Sequence, residues 1–298
     1  MIDVKLESLL AVSEYKNFTR AAEALSLTQP AISHHISQLE AECHAKLFIR
    51  GKDFKLTPEG EIAVKFARRM IALKDKMLAK IEDEKNHISR FRIGITQTSE
   101  NNNITEVLAK YASENNNINI TIITDTINNL YEMLENYELD LAIVEGKRRS
   151  NKLNYLMLDT DCLVCVVNNN NPLAKKASVT LNQLKKENMI LRLPTSATRQ
   201  LFEATLTSVN ESINNFNVIL EVDSVSTIKD LIRKDMGVSI LAKSACIGAA
   251  KRNKLTILPI ENLSMMRDMN IAYNKDFDHE ELLNDIVKMY EQSLNSGN

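Results

Sequence analysis

The segment from Phe18 to Glu40 (FTRAAEALSLTQPAISHHISQLE) places the strongest constraint on the fold. Apolar residues recur at helical spacing on both sides of a short break at residues 26–28, which predicts two amphipathic helices joined by a tight turn. Thr28 is expected to cap the second helix, and Pro30 is tolerated in its first turn because the first N–H groups of a helix lack partners anyway. The predicted buried stripe of the second helix comprises Ile32, Ile36, Leu39 and Cys43.

The opposite face of the second helix is polar and carries short, mostly uncharged side chains. Such a face suits a helix that lies in the major groove of DNA and contacts base edges. The alternative is a pair of core helices in an ordinary domain. The residues predicted to contact double-stranded DNA from this helix are Thr28, Gln29, Pro30, Ser33, His34 and Gln38.

A small basic hairpin is predicted after the second helix, with strands near residues 46–50 and 54–57. Four cations lie between residues 46 and 55, opposed within that stretch only by Asp53. Their side chains suit phosphate contacts, which set the register of a protein on DNA without reading its sequence. The whole chain gives no such indication, because its formal net charge is −2. The alternative is a solvated charged hairpin. The predicted DNA contacts are Arg50, Lys52 and Lys55.

Together these motifs resemble the winged helix-turn-helix of LysR-type transcriptional regulators. The matching residues are AAEALSLTQPAISHHISQLE, KLFIR and LTPEG. The resemblance continues along almost the whole chain. It implies an α+β multidomain protein with an N-terminal winged helix-turn-helix, a long linker helix, and a C-terminal two-lobed α/β domain resembling type 2 periplasmic binding proteins. The chain departs from the family at Cys43-His44, where the family usually has Leu-Gly. Glycine suits the left-handed conformation that ends a helix, and a non-glycine residue adopts that conformation at a cost of about 1 kcal/mol.

A long helix is predicted to begin at Thr57-Pro58, with Thr57 as its cap. Its apolar residues form a narrow stripe, which is typical of a helix that pairs with another helix. The alternative is packing against its own domain. In the family this helix pairs with its twin, which implies a homodimer; a tetramer is the family's common state, although nothing in these residues demands one. The stripe comprises Ile62, Phe66, Met70, Leu73, Met77 and Ile81.

From Phe91 onward, short β-rich runs alternate with helical runs, which predicts a mainly parallel α/β sheet. The resemblance implies two such lobes with a ligand cleft between them. The predicted domains are a DNA-binding domain at 1–58, a dimerisation helix at 59–90 and an effector-binding domain at 91–298. Within the last, lobe I is expected at about 91–160 and 267–298, and lobe II at about 161–266.

Three segments that each end a strand and open a helix carry hydroxyl and amide groups. Ligands in open α/β sheets lie beyond the carboxyl ends of strands, and helix N-termini favour anions. We therefore predict a small, anionic metabolite between the lobes and no other cofactor, the alternative being plain helix capping. The second segment resembles a Ser-Gly-Thr-Arg pattern of a LysR-type branch that includes regulators of sulfur metabolism, with Ala197 in place of Gly. The predicted contacts are Thr96, Gln97, Thr98, Ser99, Thr195, Ser196, Thr198, Arg199 and Ser224.

Glu145 is expected to border the same cleft, because it follows the strand predicted at residues 139–144. A carboxylate there argues against a bare inorganic anion in direct contact, and suits a ligand that carries both an acid and an amine or hydroxyl. An equally weighted alternative is a structural ion pair. The partners considered for that pair are Arg199, Lys147, Arg148 and Arg149.

Other classes of protein are disfavoured. Cys162 and Cys165 have CxxC spacing within a predicted strand, where residues three apart point to opposite faces, so no metal or redox site is expected. No GxSxG, HExxH or phosphate-loop motif occurs, which argues against an enzyme, and no catalytic residue is predicted. No apolar run approaches eighteen residues and no signal peptide is evident, so we expect a cytoplasmic protein without a membrane partner. The remaining alternatives are a ligand-binding module that has lost its DNA function and an architectural DNA protein without an effector.

Overall fold

A computed structural model describes residues 4–49, 51, 54–148 and 150–296 of the chain. The chain divides into two units. The amino-terminal unit extends to Ser89 and includes the short segment Glu135–Glu138, and the carboxy-terminal unit holds the remainder.

The amino-terminal unit is a small helical domain with a hairpin and one long helix. Its core is built from apolar residues of the first three helices, including Leu9, Ile32 and Ile36, and of the hairpin. The two short strands of the hairpin pair antiparallel. Its elements are α1 (Val4–Tyr15), α2 (Phe18–Ala24), α3 (Gln29–Glu42), β1 (Phe48–Ile49), β2 (Lys55–Leu56) and α4 (Pro58–Asn86).

The helix starts follow from side-chain caps. Asn17 Oδ1 accepts hydrogen bonds from the N–H groups of Thr19 and Arg20 at the start of α2. Thr28 Oγ1 accepts from the N–H of Ala31, and Thr57 Oγ1 accepts from the N–H of Gly60. Each cap satisfies an N–H group that has no partner inside its helix. The predicted caps Thr28 and Thr57 are therefore confirmed.

The end of α3 departs from the sequence-based prediction at Cys43, which is exposed rather than buried. The helix ends at Glu42, so the apolar stripe stops at Leu39, which is buried in the core. His44 has a φ of 49°, which is the left-handed conformation that glycine commonly supplies. The N–H of Ala45 bonds to the carbonyl of Glu40, and the N–H of His44 bonds to that of Ala41. The chain thus ends the helix without a glycine.

Helix α4 carries two different faces. Val64 and Ala67 are buried in the core of the amino-terminal unit. The predicted apolar stripe lies on side chains that are between 44% and 60% exposed: Ile62, Phe66, Met70, Leu73, Met77 and Ile81. Packing within the unit therefore does not cover this stripe. Among the helices that the structure describes, none is long and apolar enough to cross a membrane.

The carboxy-terminal unit alternates strands and helices. Its helices are α5 (Gln97–Glu100), α6 (Ile104–Glu114), α7 (Ile127–Glu135), α8 (Leu181–Leu184), α9 (Ala197–Ser208), α10 (Val225–Arg233), α11 (Ile247–Lys251) and α12 (Glu280–Ser296). Its strands are β3 (Ser89–Ile95), β4 (Ile118–Thr124), β5 (Leu141–Glu145), β6 (Leu153–Val167), β7 (Asn188–Leu191), β8 (Asn217–Glu221), β9 (Ser239–Ala242), β10 (Thr256–Leu258) and β11 (Met266–Asn274).

The prediction of a mainly parallel sheet is wrong for this unit. Strand β3 pairs parallel to β5, and β7 pairs parallel to β8. Strand β6 pairs antiparallel with β9, β10 and β11, and β11 also pairs antiparallel with β5. The reason is that β6 and β11 carry the chain in opposite directions between two separate cores. The sequence predicts only the second half of β6, at residues 162–167, because polar residues such as Asn154 and Asp159 interrupt the apolar pattern of its first half.

Two hydrophobic regions define two lobes, which we name by the residues that build them. Lobe I is built around Phe91–Leu158 together with Met269–Tyr290. Lobe II is built around the continuous stretch Leu163–Met265. Strands β6 and β11 connect the two lobes, so a residue near Asp161 or Arg267 lies where the chain passes from one lobe to the other.

Candidate ligand cleft and DNA-contacting surface

A cavity of about 280 Å³ is lined by residues of both lobes. Lobe I contributes the segment that follows β3, the segment that follows β4, and the end of β5. Lobe II contributes the segments that follow β7 and β8. The structure thus places several of the predicted effector contacts around one space: Thr96, Gln97, Thr98, Glu145, Thr195, Ser196 and Thr198.

Three of the predicted effector contacts lie outside this lining. Ser99 is fully buried, and its N–H bonds to Thr96 Oγ1. Arg199 is buried and pairs with Glu203 and with Glu221, the latter at 3.1 Å. Ser224 caps α10 by accepting a hydrogen bond from the N–H of Thr227. The side chains of these three residues are engaged by the protein itself.

Capping and cavity lining coincide in the second predicted segment. Ser196 Oγ accepts a hydrogen bond from the N–H of Arg199 and so caps α9. Thr195, Ala197 and Thr198 at the same helix start also line the cavity. The amino-terminal end of this twelve-residue helix, with its partial positive charge, therefore borders the cavity.

Arg192, which the sequence-based analysis did not single out, lines the cavity directly after β7. Its side chain is only 7% exposed, and its NH2 group lies 3.2 Å from Asp223 Oδ1. Its Nε has no hydrogen-bond partner among the described residues. Burial lowers the pKa of the Arg192 guanidinium, and the hydrogen bond that Arg192 donates to Asp223 opposes that shift. An unpaired buried donor costs free energy unless a ligand or water satisfies it.

Asp223 links the two lobes across the cavity. Its Oδ1 accepts from Arg192 in lobe II, and its Oδ2 accepts from Gln97 Nε2 in lobe I at 2.9 Å. The side chain remains 56% exposed, so the interaction is accessible to water. The third predicted segment therefore contributes to the cavity through Asp223 rather than through Ser224.

Glu145 lies beside Arg267, which the sequence-based analysis also missed. Oε1 of Glu145 accepts a hydrogen bond from Thr96 Oγ1 at 2.7 Å and lies 3.9 Å from Arg267 NH2. Arg267 NH2 is 3.8 Å from Asp161 Oδ2, and Arg267 NH1 contacts Thr198 Oγ1. Of the ion-pair partners considered for Glu145, Arg199 pairs elsewhere, and Arg149 falls outside the described residues.

The polar face of α3 is open on the amino-terminal unit. Five of its predicted DNA contacts are exposed and Ser33 is half-buried, whereas the neighbouring His35 is held by Ser8 at 2.8 Å. Lys55 of the hairpin is exposed, and the predicted contacts Arg50 and Lys52 lie outside the described residues. The exposed α3 residues are Thr28, Gln29, Pro30, His34 and Gln38.

A helix-turn-helix with a free polar second helix, together with a two-lobed unit around a polar cavity, defines a DNA-binding regulator with a ligand-binding domain. Two family models match the chain. The "Bacterial regulatory helix-turn-helix protein, lysR family" matches residues 4–61, and the "LysR substrate binding domain" matches residues 85–295. The chain therefore belongs to the LysR family of transcriptional regulators, which are not enzymes.

Individual relatives agree with this assignment. The chain is 29% identical over 272 residues to an uncharacterized HTH-type transcriptional regulator, MJ0300, of Methanocaldococcus jannaschii, covering 90% of this chain and 91% of the relative. Full-length CbnR complexed with its target DNA has a TM-score of 0.69 at 16% identity, covering 98% of this chain and 100% of CbnR. The CcmR regulatory domain of Synechocystis PCC6803 in complex with 2-PG has a TM-score of 0.60 at 23% identity, and the match covers 67% of this chain and 97% of the CcmR domain. The predicted fold class is confirmed.

Replacing Arg192 by Met should not destabilise the ligand-free protein. A buried, incompletely paired guanidinium contributes little net stability, and an apolar side chain of similar length removes its desolvation cost, while Asp223 stays solvated. We expect the free energy of unfolding to remain unchanged or to rise by about 1 kcal/mol, as measured by urea denaturation. Arg233→Met, at an exposed arginine of α10, is the matched control. A loss of several kcal/mol in Arg192→Met alone would instead identify Arg192 as a structural residue.

Proposed function

We propose that this protein is a sequence-specific transcriptional regulator whose DNA binding is controlled by a small metabolite that carries an anionic group and binds between lobe I and lobe II. The observation that carries this proposal is the buried Arg192, whose Nε lacks a partner among the described residues beside the start of α9. A buried guanidinium with incomplete hydrogen bonding and a helix N-terminus that line one cavity are suited to an acid group. The volume of about 280 Å³ fits a small metabolite rather than a large cofactor.

Within this proposal, the lining residues have distinct roles. Thr195, Ser196 and Thr198 lie around the acid group, while Thr96, Gln97, Thr98 and Glu145 lie on the lobe I side. Arg199, Ser99 and Ser224 support these segments from outside the lining. The ligand regulates only if it favours one arrangement of the lobes, and a tenfold change in DNA affinity needs about 1.4 kcal/mol of differential binding.

A thermal-shift screen of small carboxylates, phosphate esters and sulfur oxyanions against the full-length protein tests ligand binding. A compound at 100 times its dissociation constant should add about 2.7 kcal/mol to the stability of the native state. Arg192→Met should abolish the shift, because it removes the donors for the acid group, and Arg233→Met should retain it. A hit that survives Arg192→Met unchanged would contradict the assigned position of the acid group.

We place the DNA interface on α3 and the hairpin. The exposed residues Gln29, His34 and Gln38 and the half-buried Ser33, together with Thr28 and Pro30 at the helix start, contact bases or the adjacent backbone in the major groove. Arg50, Lys52 and Lys55 contact phosphates. Support comes from the open polar face of α3 and from CbnR, a protein of the same fold that was crystallised with its target DNA.

Two substitutions should separate base recognition from phosphate binding. Gln29→Ala should lower the ratio of affinities for operator and random DNA, because it removes a base contact worth about 1–3 kcal/mol. Lys55→Ala should weaken both DNAs alike and reduce the slope of log K against log salt by about 1 per site. Fluorescence anisotropy over a salt series measures both quantities, with Lys254→Ala as an exposed control. Unchanged selectivity in Gln29→Ala would remove Gln29 from the recognition surface.

We further propose that the protein forms a homodimer through α4. The proposed domains are the DNA-binding domain at 1–58, the dimerisation helix at 59–90 and the effector-binding domain at 91–298. The proposed location is the cytoplasm, where DNA is accessible. The support is the apolar stripe on α4, which packing within the unit leaves exposed. Pairing two such stripes buries apolar surface, and a symmetric dimer presents two recognition helices to two half-sites. A tetramer would need a second contact between two such dimers, in addition to the pairing of α4.

Met70→Glu should dissociate the dimer, because it would place a charge in the centre of the buried stripe. Sedimentation velocity at micromolar concentration should show the molecular mass falling to that of the monomer. Lys65→Glu, at an exposed position of the same helix outside the stripe, should leave the mass unchanged. If Met70→Glu sediments as the parent protein does, the subunits associate elsewhere.

A further inference from the structure

The cavity holds more carboxylates than cations. Among the described lining residues, the charged side chains are one cation, Arg192, and three carboxylates, Asp125, Glu145 and Asp223. Asp223 already neutralises Arg192 through a contact of 3.2 Å. The remaining lining charge therefore comes from Asp125 and Glu145, and both belong to lobe I.

The cation nearest to Glu145 does not remove this excess. Arg267 is shared between Glu145 at 3.9 Å and Asp161 at 3.8 Å, and all three side chains are at most 7% exposed. With these neighbours included, two cations face four carboxylates, which leaves an excess of two negative charges. A purely anionic ligand would be repelled by this excess of negative charge, most strongly near the buried carboxylate of Glu145.

Asp125 and Glu145 retain capacity to accept hydrogen bonds. Asp125 Oδ1 accepts from the N–H of Thr126 and from Asn129 Nδ2, and neither donor is a cation. Glu145 Oε1 accepts from Thr96 Oγ1. Oδ2 of Asp125 and Oε2 of Glu145 accept no hydrogen bond from any residue in the described part of the chain. An ammonium group, with three N–H donors and a positive charge, matches such acceptors.

The donors lie on the opposite wall of the cavity. Lobe II supplies the Arg192 side chain, the start of α9, and the hydroxyls of Thr195 and Thr198. The lining therefore combines hydrogen-bond donors on its lobe II side, where the carboxylate of Asp223 is paired with Arg192, with the carboxylates of Asp125 and Glu145 on its lobe I side. A ligand that carries both an acid and an amine would complement both walls at once.

We propose that the ligand is amphoteric: its carboxylate lies at the lobe II wall near Arg192 and the start of α9, and its primary ammonium lies against Asp125 and Glu145. This is the chemistry of free amino acids and their small derivatives. The inference rests on the proposed function, because it assumes that an acid group binds in this cavity. It adds that Asp125 and Glu145 select the amine. A hydroxy acid or keto acid of the same size would leave these carboxylates desolvated and unpaired, which a polar site discriminates against strongly.

Isothermal titration calorimetry on the full-length protein tests this proposal with matched acids. The probes are L-alanine with L-lactate and pyruvate, L-serine with glycerate, L-aspartate with L-malate and oxaloacetate, and L-glutamate with 2-hydroxyglutarate and 2-oxoglutarate. We expect at least one amino acid to bind on the order of 100-fold more tightly than its hydroxy and keto counterparts. The remaining amino acids extend the panel by thermal shift.

Two variants connect the preference to the named carboxylates. Asp125→Asn and Glu145→Gln should each weaken amino-acid binding by about tenfold or more, while binding of the matched hydroxy acid stays equal or improves. A merely structural role would weaken both alike. Asp235→Asn, at an exposed carboxylate after α10, is the control. Because Glu145 is buried, Asp125→Asn provides the test if Glu145→Gln fails to fold.

The outcomes distinguish this inference from the proposed function. Preferential binding of an amino acid that is lost in Asp125→Asn supports the inference. Equal or tighter binding of the acids that lack an amine overturns it, while leaving the acid-binding function intact. The absence of binding by every acid in both series overturns both the amphoteric ligand and the ligand-controlled function, but not DNA binding.

Discussion

The antiparallel ladder between β6 and β11 is the constraint on which the carboxy-terminal unit depends. Its register runs from Met266 opposite Cys162 to Asn274 opposite Leu153, with one shift between Met269 and Asn270. The two strands contribute residues to both lobes, so the ladder fixes where the lobes meet. It also places Arg267 directly opposite Asp161, where cross-strand side chains are close enough to interact. The charged cluster beside the cavity is therefore positioned by backbone pairing.

The sequence predicted best what is local in the chain. The caps Thr28 and Thr57 and the amphipathic pattern of α4 depend on residues a few positions apart, and the structure contains them as expected. It did not predict the role of Arg192, which resembled the interior of a strand, or that of Arg267, which meets Glu145 only through strand register. The polar half of β6 and the exposed Cys43 were missed for a similar reason: apolar periodicity does not report where an element ends.

The two lobes are held together near the cavity by contacts of modest strength. Gln97 contacts Asp223, and Lys229 Nζ contacts Asn101 Oδ1 at 2.9 Å, each contact joining the two lobes. Burial lowers the pKa of Lys229, so this contact carries a desolvation cost as well as a hydrogen bond. A net contribution of about 1 kcal/mol per such bond is comparable to the differential affinity that a ligand supplies. A bound metabolite can therefore change the relative stability of lobe arrangements.

Lobe I is discontinuous in the chain, whereas lobe II is built from one continuous stretch. During translation, every core residue of lobe II through Met265 emerges before β11 and α12, which complete lobe I. Lobe II is therefore synthesised in full while strand β5 still lacks its neighbour β11. The edge of β5 that pairs with β11 stays unpaired during that interval, and an unpaired apolar edge is where a nascent chain is most prone to pair with another chain.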